Sequence, residues 1–118
     1  QHLIADMVVN TEAARLMVYR AASQCDQGQP FTREAPQGKY FATEMAVKVT
    51  GAAMEIFGGY AFAIEYPVQR YHTFAKLMHT GEGSANIQRV LIAEDILGYK
   101  KMARHDTRPK FALEPATI

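Results

Sequence analysis

The chain has 118 residues, of which 48% are hydrophobic and 21% are charged. This composition is that of a single globular domain, and it excludes the low hydrophobicity typical of intrinsically disordered chains. Thirteen Lys and Arg residues against twelve Asp and Glu residues give a formal charge of +1. A charge this small argues against recruitment of nucleic acid or of a membrane surface by bulk electrostatics.

Cys25 is the only cysteine in the sequence, so the 118 residues hold no pair for an intrachain disulfide. No run approaches the roughly 18 apolar residues of a membrane helix, and the first residues lack the order of a signal peptide. These features predict a cytoplasmic protein. Because the sequence opens on Gln1, already within a predicted helix, we interpret it as part of a longer polypeptide.

The first half of the sequence predicts two long helices. Residues 3–25 contain neither Gly nor Pro, and apolar residues recur at steps of three and four, which predicts a helix that ends in the turn-forming residues 26–30. A second helix is predicted from about Pro36, because proline suits a first helical turn, to Gly58-Gly59. Its apolar stripe consists of Phe41, Met45, Val49, Ala52 and Ile56.

Two shorter helices are predicted in the second half. Residues 60–66 form an apolar and aromatic connection, and a third helix follows from Pro67 to about Met78. Ser84 is a good N-cap for a fourth helix, which is apolar on more than one side. Residues 100–118 are rich in basic residues and read as a tail. The sequence therefore predicts an all-α protein, an antiparallel helical bundle over residues 1–99 followed by this tail.

The order of residues between positions 55 and 89 resembles the acyl-CoA dehydrogenase family without a gap. The segments that carry the resemblance are Glu55-Ile56-Phe57-Gly58-Gly59, Glu65-Tyr66-Pro67-Val68, Ala75-Lys76, Glu82-Gly83-Ser84 and Ile87-Gln88-Arg89. Residues 3–7 and 12–16 are similar to the helix that precedes this region in the family. The resemblance implies the C-terminal helical domain of such an enzyme, with the first helix of that domain missing.

Four positions, in three places, depart from the family pattern. Thr73-Phe74 stand where the family usually has Arg-Asp, which removes an expected structural ion pair. Glu55 replaces a usual Gln and alters an expected flavin contact, and Gly81 replaces an aromatic residue, which is expected to enlarge the acyl pocket.

The resemblance implies an FAD-dependent oxidoreductase that acts on acyl-CoA thioesters. In such an enzyme a carboxylate removes a proton next to the thioester carbonyl, and this role comes to Glu82. Gly83 is implied to bind substrate, because glycine lets a planar thioester approach the backbone closely. Local pattern alone favours the alternative that Glu82 is an exposed residue before a helix N-cap, where the helix dipole favours negative charge, and the ordered resemblance reverses this preference.

The resemblance also implies two sets of FAD-binding residues. Ser84, Ala85 and Asn86 correspond to residues that contact the flavin on the same subunit, although plain helix capping explains Ser84 equally well. Glu55, Ile56, Phe57, Gly58 and Gly59 correspond to a strip that touches the flavin of a neighbouring subunit. A helix stop is the alternative explanation of the two glycines.

Two further expectations concern metals and partners. His72 and His79 share one helix face, but no other ligand completes a metal site in the pattern, so we interpret them as surface or interface histidines. The resemblance implies a homo-oligomer, either a dimer or a tetramer, and an electron-transfer acceptor as redox partner. The competing hypothesis is a non-catalytic helical module for oligomerisation or interaction, derived from the same fold.

Overall fold

A computed structural model describes residues 1–98, which form four α-helices. The helices are α1 (His2–Asp26), α2 (Glu34–Phe57), α3 (Val68–Thr80) and α4 (Ala85–Leu97), with a short 3-10 helix at Gly58–Phe62 between α2 and α3. No strand occurs within residues 1–98, and the predicted all-α architecture is confirmed. The predicted tail, residues 100–118, lies outside the described residues.

Helix α2 is the central element, and α1, α3 and α4 each pack against it. The Lys39 ammonium donates to the Met78 carbonyl at 2.7 Å, whereas Thr50, further along α2, meets His72 earlier in α3. The two helices therefore run antiparallel. Helix α4 also runs antiparallel to α2, because Arg33 pairs with Asp95 at 2.6 Å whereas Glu44 pairs with Arg89 at 3.0 Å. Helix α1 does the same, because Arg20 pairs with Glu34 at 3.4 Å whereas Gly38, further along α2, lies beside Met17, earlier in α1.

The boundaries of the helices follow their capping residues. Helix α2 ends where Gly58 takes a φ of 55°, a left-handed conformation that glycine adopts without a steric penalty. Ser84 caps α4 as predicted, and Gly98 ends that helix in the left-handed region. Several boundaries differ by one or two residues from the prediction; for example, α2 begins at Glu34, and Pro67 precedes the first residue of α3 instead of forming it.

Gly38 brings the backbones of α1 and α2 together. A Cβ atom at this position would lie 3.5 Å from both the Met17 carbonyl oxygen and the Val18 Cα, which is ordinary van der Waals contact. The site thus has room for one methyl group in direct contact with α1. The close approach depends on this small residue.

We expect Gly38→Ala to stabilise the bundle by up to about 1 kcal/mol, because alanine loses less backbone entropy than glycine in a helix interior. Gly38→Leu should instead force α1 away from α2 and cost about 1–3 kcal/mol. Urea unfolding of the two variants beside the parent chain measures both effects. Equal stability of the two variants would contradict the close approach of the helices.

Small side chains dominate the interior of the bundle. The buried apolar residues are Ala21, Ala61, Val68, Ala75 and Ala85, whereas large apolar side chains remain exposed along α1, including Val8 (63%) and Val9 (67%). Exposed apolar surface of this extent is uncommon on monomeric proteins and marks surfaces that contact other protein. Within residues 1–98, no helix is long and apolar enough to cross a membrane.

Candidate active site

The connection between α3 and α4 has an unusual backbone conformation. Gly81 is extended, Glu82 has a φ of 54°, Gly83 has a φ of 89°, and Ser84 returns to a negative φ. Among residues 1–98, Glu82 is the only non-glycine residue with a positive φ. The left-handed conformation costs an L-residue about 1–2 kcal/mol, so Glu82 is strained and must be held in place by its surroundings.

Hydrogen bonds hold this loop at both ends. The Gly81 N–H donates to the Leu77 carbonyl at 2.7 Å and thereby fixes the start of the loop to the last turn of α3. The Gln88 side-chain amide donates to the Gly83 carbonyl at 3.1 Å and fixes its end to α4. Gln88 is buried, whereas Glu82 is exposed. The loop therefore presents the Glu82 carboxylate on the surface of a fixed backbone.

Gly83 is required by the geometry at the end of the loop. Its φ of 89° disfavours any residue with a side chain, and a Cβ atom there would lie only 2.5 Å from the Gln88 Nε2 atom. The Gln88 amide thus occupies the space that a side chain at position 83 would need. The surface beside Glu82 stays free of side-chain bulk at this point.

The N-terminus of α4 carries the other predicted residues of this region. The Ser84 hydroxyl accepts from the Ile87 N–H at 3.5 Å, so the capping interpretation of Ser84 holds. Ala85 is only 3% exposed as a whole residue and belongs to the core. Asn86 is exposed, and its side-chain oxygen accepts from Arg89 at 2.9 Å.

A polar cluster that the sequence interpretation missed lies beside this loop. The Glu44 carboxylate, on α2, lies 3.1 Å from His79 Nε2 at the end of α3 and 3.0 Å from Arg89 on α4. Arg89 also donates to the Tyr40 hydroxyl at 3.1 Å and stacks over the Tyr40 ring at 4.6 Å. The hydrogen bond to Tyr40 is the main cause of the raised pKa of Arg89, and Glu44 adds to it. Glu44 therefore joins both helices that flank Glu82.

One feature of this cluster is visible in the sequence, namely the spacing of Tyr40 and Glu44. Tyr40 and Glu44 are four residues apart, so a helix places them on one face. The sequence alone did not indicate that this face would meet His79 and Arg89. His79 and His72, interpreted from the sequence as surface or interface residues, are half-buried, and each is hydrogen-bonded within the bundle, His72 to Thr50 at 3.0 Å.

The other predicted cofactor strip lies at the opposite end of α2. Residues 55–59 are all exposed, and a Cβ atom on Gly58 or Gly59 would have no neighbour within 4 Å. Lys39 marks the end of α2 near the loop, because it donates a hydrogen bond to the Met78 carbonyl at the end of α3. Glu55 lies sixteen positions further along the same helix, which is about 24 Å at about 1.5 Å per residue. The structure thus does not bring residues 55–59 together with Glu82.

The described residues thus form an antiparallel helical bundle, with an exposed glutamate of strained backbone conformation between the ends of α3 and α4. Comparison with known proteins identifies the family. The family model of the acyl-CoA dehydrogenase C-terminal domain matches residues 1–97, and the chain belongs to this family.

Individual relatives agree with the family match. The chain is 45% identical over 97 residues to the cyclohexane-1-carbonyl-CoA dehydrogenase of Geobacter metallireducens, covering 82% of this chain and 26% of that protein. It is similar to the solved structure of butyryl-CoA dehydrogenase from Megasphaera elsdenii, with a TM-score of 0.79 and 40% identity over 81% of this chain and 25% of that chain. A structure of PigA in complex with FAD matches with a TM-score of 0.78, 32% identity and coverage of 80% and 25%. The chain thus spans about a quarter of the length of these relatives.

Proposed function

We propose that this chain is the C-terminal part of a flavin-dependent acyl-CoA dehydrogenase and that Glu82 is its catalytic base. The observation that carries the proposal is the left-handed, exposed Glu82 between Gly81 and Gly83. Strained backbone conformations persist where the surrounding structure holds them, and they concentrate at functional sites. A glutamate held in a strained backbone conformation, at the position that the family uses for proton removal, fits this chemistry.

The Glu82 carboxylate takes the proton from the carbon next to the thioester carbonyl, while its own backbone N–H donates to the carbonyl oxygen, where negative charge develops. Gly83 leaves the backbone bare, so that a planar thioester approaches closely. When bound, FAD would supply the acceptor for the hydride that leaves the neighbouring carbon.

The described residues fit a flavin at two places. Ser84 and Asn86 flank the buried Ala85 at the N-terminus of α4, and a helix N-terminus favours polar and anionic groups. Residues 55–59 offer exposed backbone with open space around Gly58 and Gly59, which suits a second contact. The family resemblance assigns this second place to the flavin of a neighbouring subunit, and its position at the opposite end of α2 from Glu82 agrees with that assignment.

Acyl-CoA, an electron-transfer acceptor and further copies of the chain are the proposed partners. The exposed apolar side chains of α1 support contacts with other protein, because they would otherwise remain in water. The coverage of about a quarter of each relative supports the presence of further domains in the complete enzyme. We propose a dimer or tetramer assembled partly through this bundle.

The complete polypeptide is expected to purify with FAD, and anaerobic addition of an acyl-CoA should bleach the oxidised flavin absorbance. The isolated 118-residue chain should bind little or no FAD, because most of the flavin-binding surface lies in the proposed further domains. A complete polypeptide that binds FAD and acyl-CoA without flavin bleaching would contradict the enzyme proposal and favour a non-catalytic helical module. Stoichiometric FAD on the isolated chain would contradict the need for further domains.

A further inference from the structure

Gln88 has no role in the proposed chemistry, yet its buried polar side chain contacts the loop that carries Glu82. Its exposure is only 9%, and its amide nitrogen donates to the Gly83 carbonyl at 3.1 Å. We propose that Gln88 is a positioning residue that holds Glu82 in its catalytic orientation. This inference rests on the function proposed above.

The hydrogen bond acts on the backbone next to Glu82. The Gly83 carbonyl can only accept, so the nitrogen of the Gln88 amide must face it. Fixing this carbonyl fixes the peptide plane that follows the two left-handed residues, Glu82 and Gly83. Removal of the donor would leave a carbonyl without its partner beside a strained residue, and the loop would relax toward conformations that glutamate prefers.

Gln88 is itself anchored on a regular helix. Its own backbone N–H donates to the Ser84 carbonyl at 3.0 Å, in the first turn of α4. The side chain therefore reaches back from a rigid element to the residue just before the N-cap. Such support from a helix places a side chain more precisely than a free loop can.

The Gln88 amide packs against the position where Gly83 has no side chain. A Cβ atom at position 83 would lie 2.5 Å from the Gln88 Nε2 atom, so the amide fills the space left by the glycine. A methionine at position 88 would keep a similar length and shape without a donor. A glutamate there would donate to the Gly83 carbonyl only while its carboxyl is protonated.

These differences define the test in the complete FAD-containing enzyme. Gln88→Met is expected to lower the rate of flavin reduction by roughly 10- to 100-fold, as displaced catalytic groups commonly do. KM for the acyl-CoA should change by less than about threefold, because the lost interaction orients the base instead of binding substrate. Gln69→Met, a substitution at an exposed position on α3, is the matched control and should keep the parent rate.

The pH profile separates positioning from simple packing. Burial raises the pKa of a carboxyl introduced at position 88, because it disfavours the charged form. The rate of Gln88→Glu divided by the parent rate should therefore be highest at low pH and fall as the introduced carboxyl ionises. A ratio that stays constant with pH would overturn the positioning role.

A crystal structure of Gln88→Met supplies a readout besides activity. We expect residues 82–84 to change conformation while α3 and α4 stay in place. An unchanged loop, or a rate equal to that of Gln69→Met, would overturn the inference while the enzyme proposal stands. Absence of flavin bleaching in the parent enzyme would instead overturn the proposed function, and this inference with it.

Discussion

Replacing Glu82 with glutamine should lower the rate of flavin reduction by at least about 100-fold, the usual contribution of a positioned general base. The amide keeps the size of the side chain and removes the carboxylate that accepts the proton. The variant should retain FAD and the fold, because Glu82 is exposed and accepts none of the hydrogen bonds that hold the loop. Stopped-flow absorbance with an acyl-CoA measures the rate, and the flavin spectrum measures cofactor content.

Glu12→Gln provides the matched control for this experiment. Glu12 is an exposed glutamate on α1 that pairs with Arg15 at 2.9 Å, remote in sequence from the loop. Its replacement should leave flavin reduction unchanged. Parent-like rates in Glu82→Gln with full FAD content would remove Glu82 from the role of base.

Gly83→Ala is expected to have the second large effect, on stability and activity together. A φ of 89° strains any L-residue, and the added Cβ would meet the Gln88 amide at 2.5 Å. Backbone strain and the displaced amide should together cost about 2–4 kcal/mol of unfolding free energy. Because the displaced amide no longer holds the loop, flavin reduction should also slow by about 10-fold or more. Chemical denaturation and stopped-flow absorbance measure the two effects.

Alanine substitutions at two other glycines distinguish the two expected causes of the lost stability, which are backbone strain and displacement of the Gln88 amide. Gly28 has a φ of 68° with open space around its Cβ position, so Gly28→Ala tests backbone strain alone. Gly59 has open space and no positive φ, so Gly59→Ala should leave stability almost unchanged. A Gly83→Ala variant no less stable than Gly28→Ala would show that the Gln88 amide moves aside without cost.

Local signals in the sequence predicted most of the fold. Gly58 ends α2 and Ser84 caps α4, because backbone conformation and capping depend on the residues themselves. The segment before α3 was predicted only as a connection, yet it forms a 3-10 helix at Gly58–Phe62. Such short helices lack a strong periodic pattern, since they rarely exceed one turn.

The candidate site was predicted in part. The ordered resemblance indicated Glu82, but nothing local indicated its left-handed backbone, because glutamate rarely adopts that conformation. Glu44 was missed for a different reason. Its contacts with His79 and Arg89 join residues 35 and 45 positions away, and only the packing of three helices brings them together.

Helix α2 also fixes the distance and the relative orientation of the two proposed binding regions at its ends. The loop with Glu82 lies near one end of it, and the exposed strip at residues 55–59 forms the other end. Because a helix rises about 1.5 Å and turns about 100° with each residue, one inserted residue would rotate the strip as well as move it. Only insertions or deletions close to whole helical turns would keep residues 55–59 pointing in the same direction relative to Glu82. The distance between the two ends of α2 can therefore change only in steps of about one turn without rotating the strip.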